Sequence, residues 1–280
     1  MDFSKLKPHF EWALAEDLGD GDHSSLSCIP NTARGKARLL VKQEGVLAGV
    51  ALAEFLFKTY AQNVDFHIYI NDGEKVLPKQ VAFETEAYIH DLLKLERLVL
   101  NYMQRLSGIA TQSAVYAQAV AGTRAKVLDT RKTTPGLRNL EKWAVRLGGC
   151  YNHRMGLYDM IMLKDNHVDF AGGLTKAVQS ARTYANQQGK TLPIEVEVRN
   201  LEELELALNG EGVDRIMLDN FSTENTKLAV NRVNGRVELE SSGGITLDNI
   251  AEYAQCGVDY ISIGALTHQI KSLDLSFKAF

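Results

Sequence analysis

Six short apolar runs in the second half of this 280-residue chain each end in a cluster of charged or glycine residues. They read AKVLDTRKT (125–133), YDMIMLKDNH (158–167), LPIEVEV (192–198), DRIMLDN (214–220), RVELESSGG (236–244) and YISIGALTH (260–268). Amphipathic helical stretches separate several of them, so the unit is strand then helix, and the strands must run parallel. Residues just past the C-terminal ends of such strands share one rim. That rim would gather Arg131, Lys132, Lys164, Glu197, Asp219, Ser242, Gly243, Gly244, Gly264 and His268. Cations beside glycine loops make a mouth for anions, phosphates above all. The two carboxylates facing them suit a metal ion or a developing positive charge. Six units fall short of the usual eight, which predicts an incomplete barrel.

The first hundred residues read differently. Leu6–Leu18 and Val50–Tyr60 are helical, while Gly35–Ala48 and Val64–Ile70 are strand-like, an irregular mixture that predicts a separate α+β domain. A long helix from about Leu92 to Val120 follows, with Leu92, Leu95, Val99, Met103 and Leu106 in helical period and a break expected at Ser107-Gly108. Further on, Leu201, Leu204 and Leu208 fall on one helical face, and Thr246 is a candidate N-cap for the helix ending at Gly257.

Composition excludes several classes. A net charge of −4 argues against non-specific nucleic-acid binding. Cys28, Cys150 and Cys256 are odd in number and widely spaced, which fits neither a disulfide framework nor a zinc site. No apolar run approaches a membrane span, and the first residues do not read as a signal peptide, so a cytoplasmic setting is expected. GxGxxG, GxxxxGK[ST] and HExxH are all missing from the chain.

Within the clusters, Arg131 and Arg138 of DTRKTTPGLR can each grip a carboxylate or phosphate with two hydrogen bonds. A solvated basic loop is the plainer alternative. His153 and Arg154 precede one strand and Lys164 ends it; Lys164 can pair with a carboxylate or form a Schiff base, or be a simple surface charge. Glu195 and Glu197 share a strand face where a central parallel strand should be apolar, so they need partners. Glu197 and Asp219 can hold Mg²⁺, stabilise a cationic sugar carbon, or form a buried ion pair.

Taken together, ERLVLNYMQRLSGIAT (96–111), DTRKTTPGLR (129–138), NHRMGLYDMIMLKDNH (152–167), EVEV (195–198), MLDNF (217–221), ESSGGI (240–245) and GALTH (264–268) resemble the quinolinate phosphoribosyltransferase family. The resemblance spans essentially the whole chain; Ser24 stands where the family more often has Thr. It implies an N-terminal α/β sandwich over 1–110, joined by the tail 269–280, and an incomplete parallel α/β barrel over 111–268. It implies transfer of phosphoribosyl from phosphoribosyl pyrophosphate to quinolinate with decarboxylation, assisted by Mg²⁺. Arg97, Arg131, His153, Arg154 and Lys164 would bind quinolinate, with Lys164 and Lys132 also among the catalytic groups. Lys132, Glu197, Asp219, Ser242, Gly243, Gly264 and His268 would line the pyrophosphate side, with Gly244 beside them. A homodimer with shared sites, able to assemble further, would bring Arg97 into the partner's site. A nicotinate phosphoribosyltransferase, a Schiff-base lyase and a transport-associated paralogue of the same fold are the rival readings.

Overall fold

The computed structural model describes residues 1–280, which divide into two compact units. The first comprises Met1–Ala114, Thr134–Gly149 and Gln269–Phe280, and the second Val115–Thr133 and Cys150–His268.

The first unit is a sheet layered with helices. Its strands are β1 (Arg34–Val41), β3 (Asp65–Ile68), β5 (Val81–Tyr88) and β12 (Leu275–Ala279), in the antiparallel order β12-β1-β5-β3. A small ribbon pairs β2 (Gly45–Val46) with β4 (Lys75–Val76). The tail thus enters this unit as a strand, with Leu39 opposite Phe277. Aromatic residues bind the layers: Phe57 of α3 (Val50–Tyr60) lies near Phe66 and Phe277, and Phe66 stacks on Phe83 at 4.5 Å between ring centres. Asp72 anchors α3 by accepting from the N–H groups of Gly49, Val50 and Ala51, three donors that the first helical turn leaves without partners. α1 (Lys7–Leu18) and α2 (His23–Cys28) precede the sheet.

The helix expected to break at Ser107-Gly108 does not break. α4 runs unbroken from Ile89 to Ala119. Ser107 Oγ accepts from Ala48 N and donates to Ala48 O, at 2.9 and 3.1 Å. A β-carbon on Gly108 would collide with the carbonyl of Lys271 in the tail. The pair is therefore a packing surface, where small residues let the backbone come close. Within the stretch 111–268, Thr134–Gly149, carrying α5 (Arg138–Leu147), groups with the first compact unit. There Glu141 is buried and takes Arg105 Nε at 2.8 Å and the Thr134 N–H at 3.1 Å. An acid at that spacing gave no hint of its partner across the fold.

The second unit is the incomplete parallel α/β barrel. Its strands are β6 (Lys126–Leu128), β7 (Ile161–Leu163), β8 (Ile194–Val198), β9 (Arg215–Asp219), β10 (Glu238–Ser242) and β11 (Tyr260–Ser262). All are parallel, in the order β6-β11-β10-β9-β8-β7. A one-residue bridge between Leu128 and Tyr151 extends the β6 edge, and β6 and β7 are not paired with each other. Each of the six apolar runs is one strand. α6 (Asp165–Phe170), α7 (Leu174–Gln187), α8 (Leu201–Asn209), α9 (Thr223–Val233), α10 (Ile250–Gln255) and α11 (Ala265–His268) fill the connections. α7 and α8 pack on β8. One sheet face is apolar and buried, through Val196, Val198, Ile216, Leu218, Leu239 and Ile261. α8 is capped by Asn200, whose side chain accepts from Glu203 N. Thr246 is not the cap of α10; that helix begins after Asn249, whose Oδ1 accepts from Thr246 N at 2.8 Å. No helix is long and apolar enough to cross a membrane.

Gly108→Ala should destabilise the protein by about 1–3 kcal/mol, because the added methyl meets backbone that cannot swing aside. Thermal unfolding would show a lowered Tm; an unchanged Tm would mean the tail is free to move away from α4.

Candidate functional site

Parallel pairing in register decides which side chains share the second sheet face. Glu195 lies opposite Arg215, Glu197 opposite Met217, Glu240 opposite Met217 and Ser242 opposite Asp219. Paired residues point to the same side, and residues two apart on one strand do so as well. This face therefore carries Glu195, Arg215 and Glu238 deepest, Glu197, Met217 and Glu240 in the middle, and Asp219 and Ser242 at the C-terminal ends.

The mouth contains most of the expected groups. Lys164 Nζ reaches Glu197 at 2.8 Å. That ion pair is unlike the apolar or cation-crowded pocket that activates a Schiff-base lysine. Asp219 Oδ2 accepts from Asn220 Nδ2 at 2.8 Å, and Asn220 N donates to Ser242 O at 2.9 Å. Gly243, at φ +87°, lies so close to Asn220 that a β-carbon would overlap its side chain and amide nitrogen. This turn needs glycine both for its left-handed backbone and for the close approach. Gly264 lets two side chains converge: a β-carbon there would stand 2.8 Å from His268 Nε2 and 3.1 Å from Lys132 Cδ. Thr267 Oγ1 fixes the loop by donating to Lys132 O at 2.8 Å. Gly244 and His268 are exposed at the same end.

Residues 152–160 lie in no helix or strand, so side chains must hold them. Asp129, buried at the end of β6, accepts from His153 N at 2.9 Å and from Asn152 Nδ2 at 2.6 Å. Asp159 accepts from Met155 N and Gly156 N. Arg154 Nη1 donates to Met160 O at 3.2 Å. Burial first, and the Arg131 guanidinium second, lower the pKa of Arg154 from its ordinary value. Two neighbouring guanidiniums, one half-buried, form a strong anion receptor.

His153 is buried; its Nδ1 accepts from Arg154 N at 2.7 Å and its Nε2 faces Glu195 at 3.0 Å and Glu240 at 3.5 Å. Both ring nitrogens are engaged inside the protein. Arg97 is exposed on α4, and Arg138 lies on α5; both belong to the first unit. The other predicted site residues belong to the second.

The partners that Glu195 was expected to need lie deeper, and two of them, Glu240 and Arg215, had gone unnoticed in the sequence. Glu195 and Glu240 are fully buried, and Arg215 reaches Glu240 with Nη1 at 3.2 Å. Arg215 also stacks on Tyr260, its guanidinium carbon 3.9 Å from the ring centre. Burial raises the Glu195 carboxyl despite Arg215 nearby. Burial, and then the Glu195 charge, push Glu240 up to about 7. Burial works against the charge on Arg215, but Glu240, Glu195 and Glu238 outweigh it and raise its pKa. His153, Glu195 and Glu240 offer three donor atoms within 4.8 Å of one another. Arg215 already neutralises Glu240 there and would repel a divalent ion, so we read the trio as an ion-pair network. The available signal was period-two spacing: Arg215 lies four residues before Asp219, and Glu240 two before Ser242.

An open parallel half-barrel whose mouth joins guanidiniums, two carboxylates and glycine loops defines a protein that handles anionic, phosphate-bearing small molecules. The comparisons give the family. Residues 22–107 match the model described as quinolinate phosphoribosyl transferase, N-terminal domain, and residues 109–278 the corresponding C-terminal domain. The chain belongs to the quinolinate phosphoribosyltransferase family. It is 42% identical to quinolinate phosphoribosyltransferase [decarboxylating] 1b of Nicotiana tabacum, over 98% of this chain and 82% of that one. It is 41% identical to the probable nicotinate-nucleotide pyrophosphorylase [carboxylating] of Bacillus subtilis, over 99% of this chain and 93% of that one. The crystal structure of NadC from Streptococcus pyogenes superimposes with a TM-score of 0.94 at 39% identity, covering 100% of this chain and 99% of that one.

The raised Glu240 carboxyl fixes the sign of a pH effect. The folded protein holds that proton more tightly than the unfolded chain, so its contribution to stability is full below the ordinary Glu range and is lost as pH rises through about 7. Glu240→Gln removes the titration. Relative to wild type it should therefore be more stable at pH 8 than at pH 5 in denaturant unfolding; a constant difference would contradict the shift.

Proposed function

We propose that this chain transfers the phosphoribosyl group of phosphoribosyl pyrophosphate to quinolinate and decarboxylates the product, giving nicotinate mononucleotide, pyrophosphate and CO2. What supports this reading is that Arg131, Arg154, Lys164, Glu197, Asp219 and the Gly243 and Gly264 loops all belong to one unit of a chain of this family. A dicarboxylate needs several cations, whereas nicotinate, with one carboxylate, needs fewer. Intact DTRKT and NHR blocks favour an enzyme over a transport-associated paralogue.

The division of labour follows from charge. Arg131, Arg154 and Lys164 hold the two carboxylates, with His153 beneath them. Lys132, Ser242, Gly243, Gly244, Gly264 and His268 receive the phosphates. The ring nitrogen attacks the ribose carbon as its bond to pyrophosphate breaks, and that carbon becomes oxocarbenium-like. Glu197 or Asp219 stabilises the positive charge. The alkylated nitrogen is then cationic. The adjacent carbon–carboxylate bond breaks, its electron pair stays on the ring carbon beside the cation, and a proton from solvent completes the product. Glu197 and Asp219 are hard oxygen donors suited to Mg²⁺, directly or through water, and Mg²⁺ would neutralise the departing pyrophosphate. Two acids suit an ion that takes its remaining oxygens from substrate and water. The enzyme would act on small molecules, without nucleic acid. Three free thiols suit a reducing, cytoplasmic compartment.

A coupled assay for nicotinate mononucleotide, omitting each substrate in turn, tests the whole reading; release of labelled CO2 separates it from a nicotinate enzyme. Arg131→Ala and Arg154→Ala should each cost about 2–4 kcal/mol in kcat/KM for quinolinate, and Lys should restore neither fully because it cannot fork. Wild-type efficiency in either alanine variant removes that arginine from the site.

Arg97 tests assembly. We place it in the partner's mouth within a two-fold symmetric homodimer. Arg97→Ala and Lys164→Ala would then be nearly inactive alone and recover about a quarter of wild-type activity after refolding together, since about half the dimers hold one intact site. No recovery in mixed dimers verified by mass spectrometry would return Arg97 to its own subunit.

A further inference from the structure

Barrel interiors are normally filled with branched apolar side chains. Here Glu195 and Glu240 are fully buried in the two deeper layers of the sheet face, and neither Glu195 oxygen has a hydrogen bond of good geometry. Buried ions cost several kcal/mol each, and apolar residues of similar volume often serve stability as well or better. Packing therefore does not account for these charges. What they touch does: Glu195 and Glu240 converge on His153 Nε2, at 3.0 and 3.5 Å.

His153 lies near the start of a segment, 152–160, that no strand or helix holds. Asp129 fixes its backbone, at 2.9 Å. A backbone anchor alone leaves the ring free to rotate. The carboxylates fix the ring from below, and the ring's Nδ1 then takes the Arg154 N–H at 2.7 Å. That bond sets the backbone direction at Arg154, whose guanidinium is anchored on Met160 O. Arg215 holds Glu240 in turn, at 3.2 Å, and is itself seated on Tyr260. The connection runs without a gap from the deepest layer of the sheet to the arginine at the mouth.

We propose that Glu195, Glu240 and Arg215 are positioning residues for quinolinate binding: they orient the His153 ring so that Arg154 is presented to the substrate carboxylates. This rests on the function proposed above. The phosphate loops follow β10 and β11 and do not depend on this connection, so the effect should be confined to one substrate.

The decisive variant is Arg215→Met with Glu240→Leu, which replaces the ion pair by apolar volume. We expect a Tm at or above wild type, a quinolinate KM raised about tenfold or more, and a phosphoribosyl pyrophosphate KM within about twofold of wild type. Glu240→Gln, assayed at pH 8, should show the same selective loss and serves if the double variant does not fold. Isothermal titration of quinolinate into wild type and variants separates the two readings. An unchanged quinolinate Kd in a folded variant overturns the positioning role while leaving the function intact. Equal losses for both substrates overturn it too, since they indicate general damage to the barrel. Wild type that binds no quinolinate sinks the functional reading and this inference together.

Discussion

Everything at the mouth depends on backbone hydrogen bonding between six parallel strands. Parallel pairing puts all the C-terminal strand ends at one edge, and the register fixes which side chains meet there. Asp219 faces Ser242 because β9 and β10 pair at that rung, and Glu197 faces Met217 by the same rule on the other side. A one-residue slip would turn Glu195, Arg215 and Glu240 into the apolar helical layer and bring valines and leucines to the mouth. The apolar face, with Val196, Ile216 and Leu218 fully buried under helices, makes such a slip very costly and so protects the chemistry on the opposite face.

Loops that carry function are held by side chains where the ladder ends. Asp129 and Asp159 between them satisfy backbone N–H groups at His153, Met155 and Gly156. Gly243 and Gly264 work by leaving out a β-carbon, the one to admit Asn220 and the other to let Lys132 approach His268. The candidate site combines strand-end groups, Glu197 and Asp219, with loop cations whose backbone is held by acidic anchors. The loop cations would be the first to lose precision when an anchor changes.

The interior acids show how electrostatics and packing trade against each other. A buried carboxylate is tolerated when a cation lies within a few ångströms, and Arg215 meets that condition for Glu240, with the His153 ring 3.5 Å away on another side. The raised pKa of Glu240 shows that compensation is incomplete. Retaining such groups makes physical sense where they order something that apolar side chains could not, and a ring nitrogen is such a target.

The six strands, their parallel sense and the rim residues were legible because apolar runs ending in charged or glycine clusters leave few other folds. The family could be read from the blocks DTRKTTPGLR, NHRMGLYDMIMLKDNH and GALTH. Local signals failed where long-range contact decided. Ser107-Gly108 looked like a helix break, but the tail's approach at Lys271 makes it a contact surface. Arg138, ten residues after the end of β6, belongs to the other unit, because α5 buries Leu140 and Glu141 there. At His153 the local pattern did not show the ring's acidic neighbours, Glu195 and Glu240, which lie 42 and 87 positions further along the chain. By itself the sequence determined the period of each element and the chemical character of the mouth, since both are written in nearest-neighbour patterns. Only the tertiary structure decided which charges neutralise one another, because that depends on strand register and burial, which bring distant residues within a few ångströms in a medium where unpaired charge is costly.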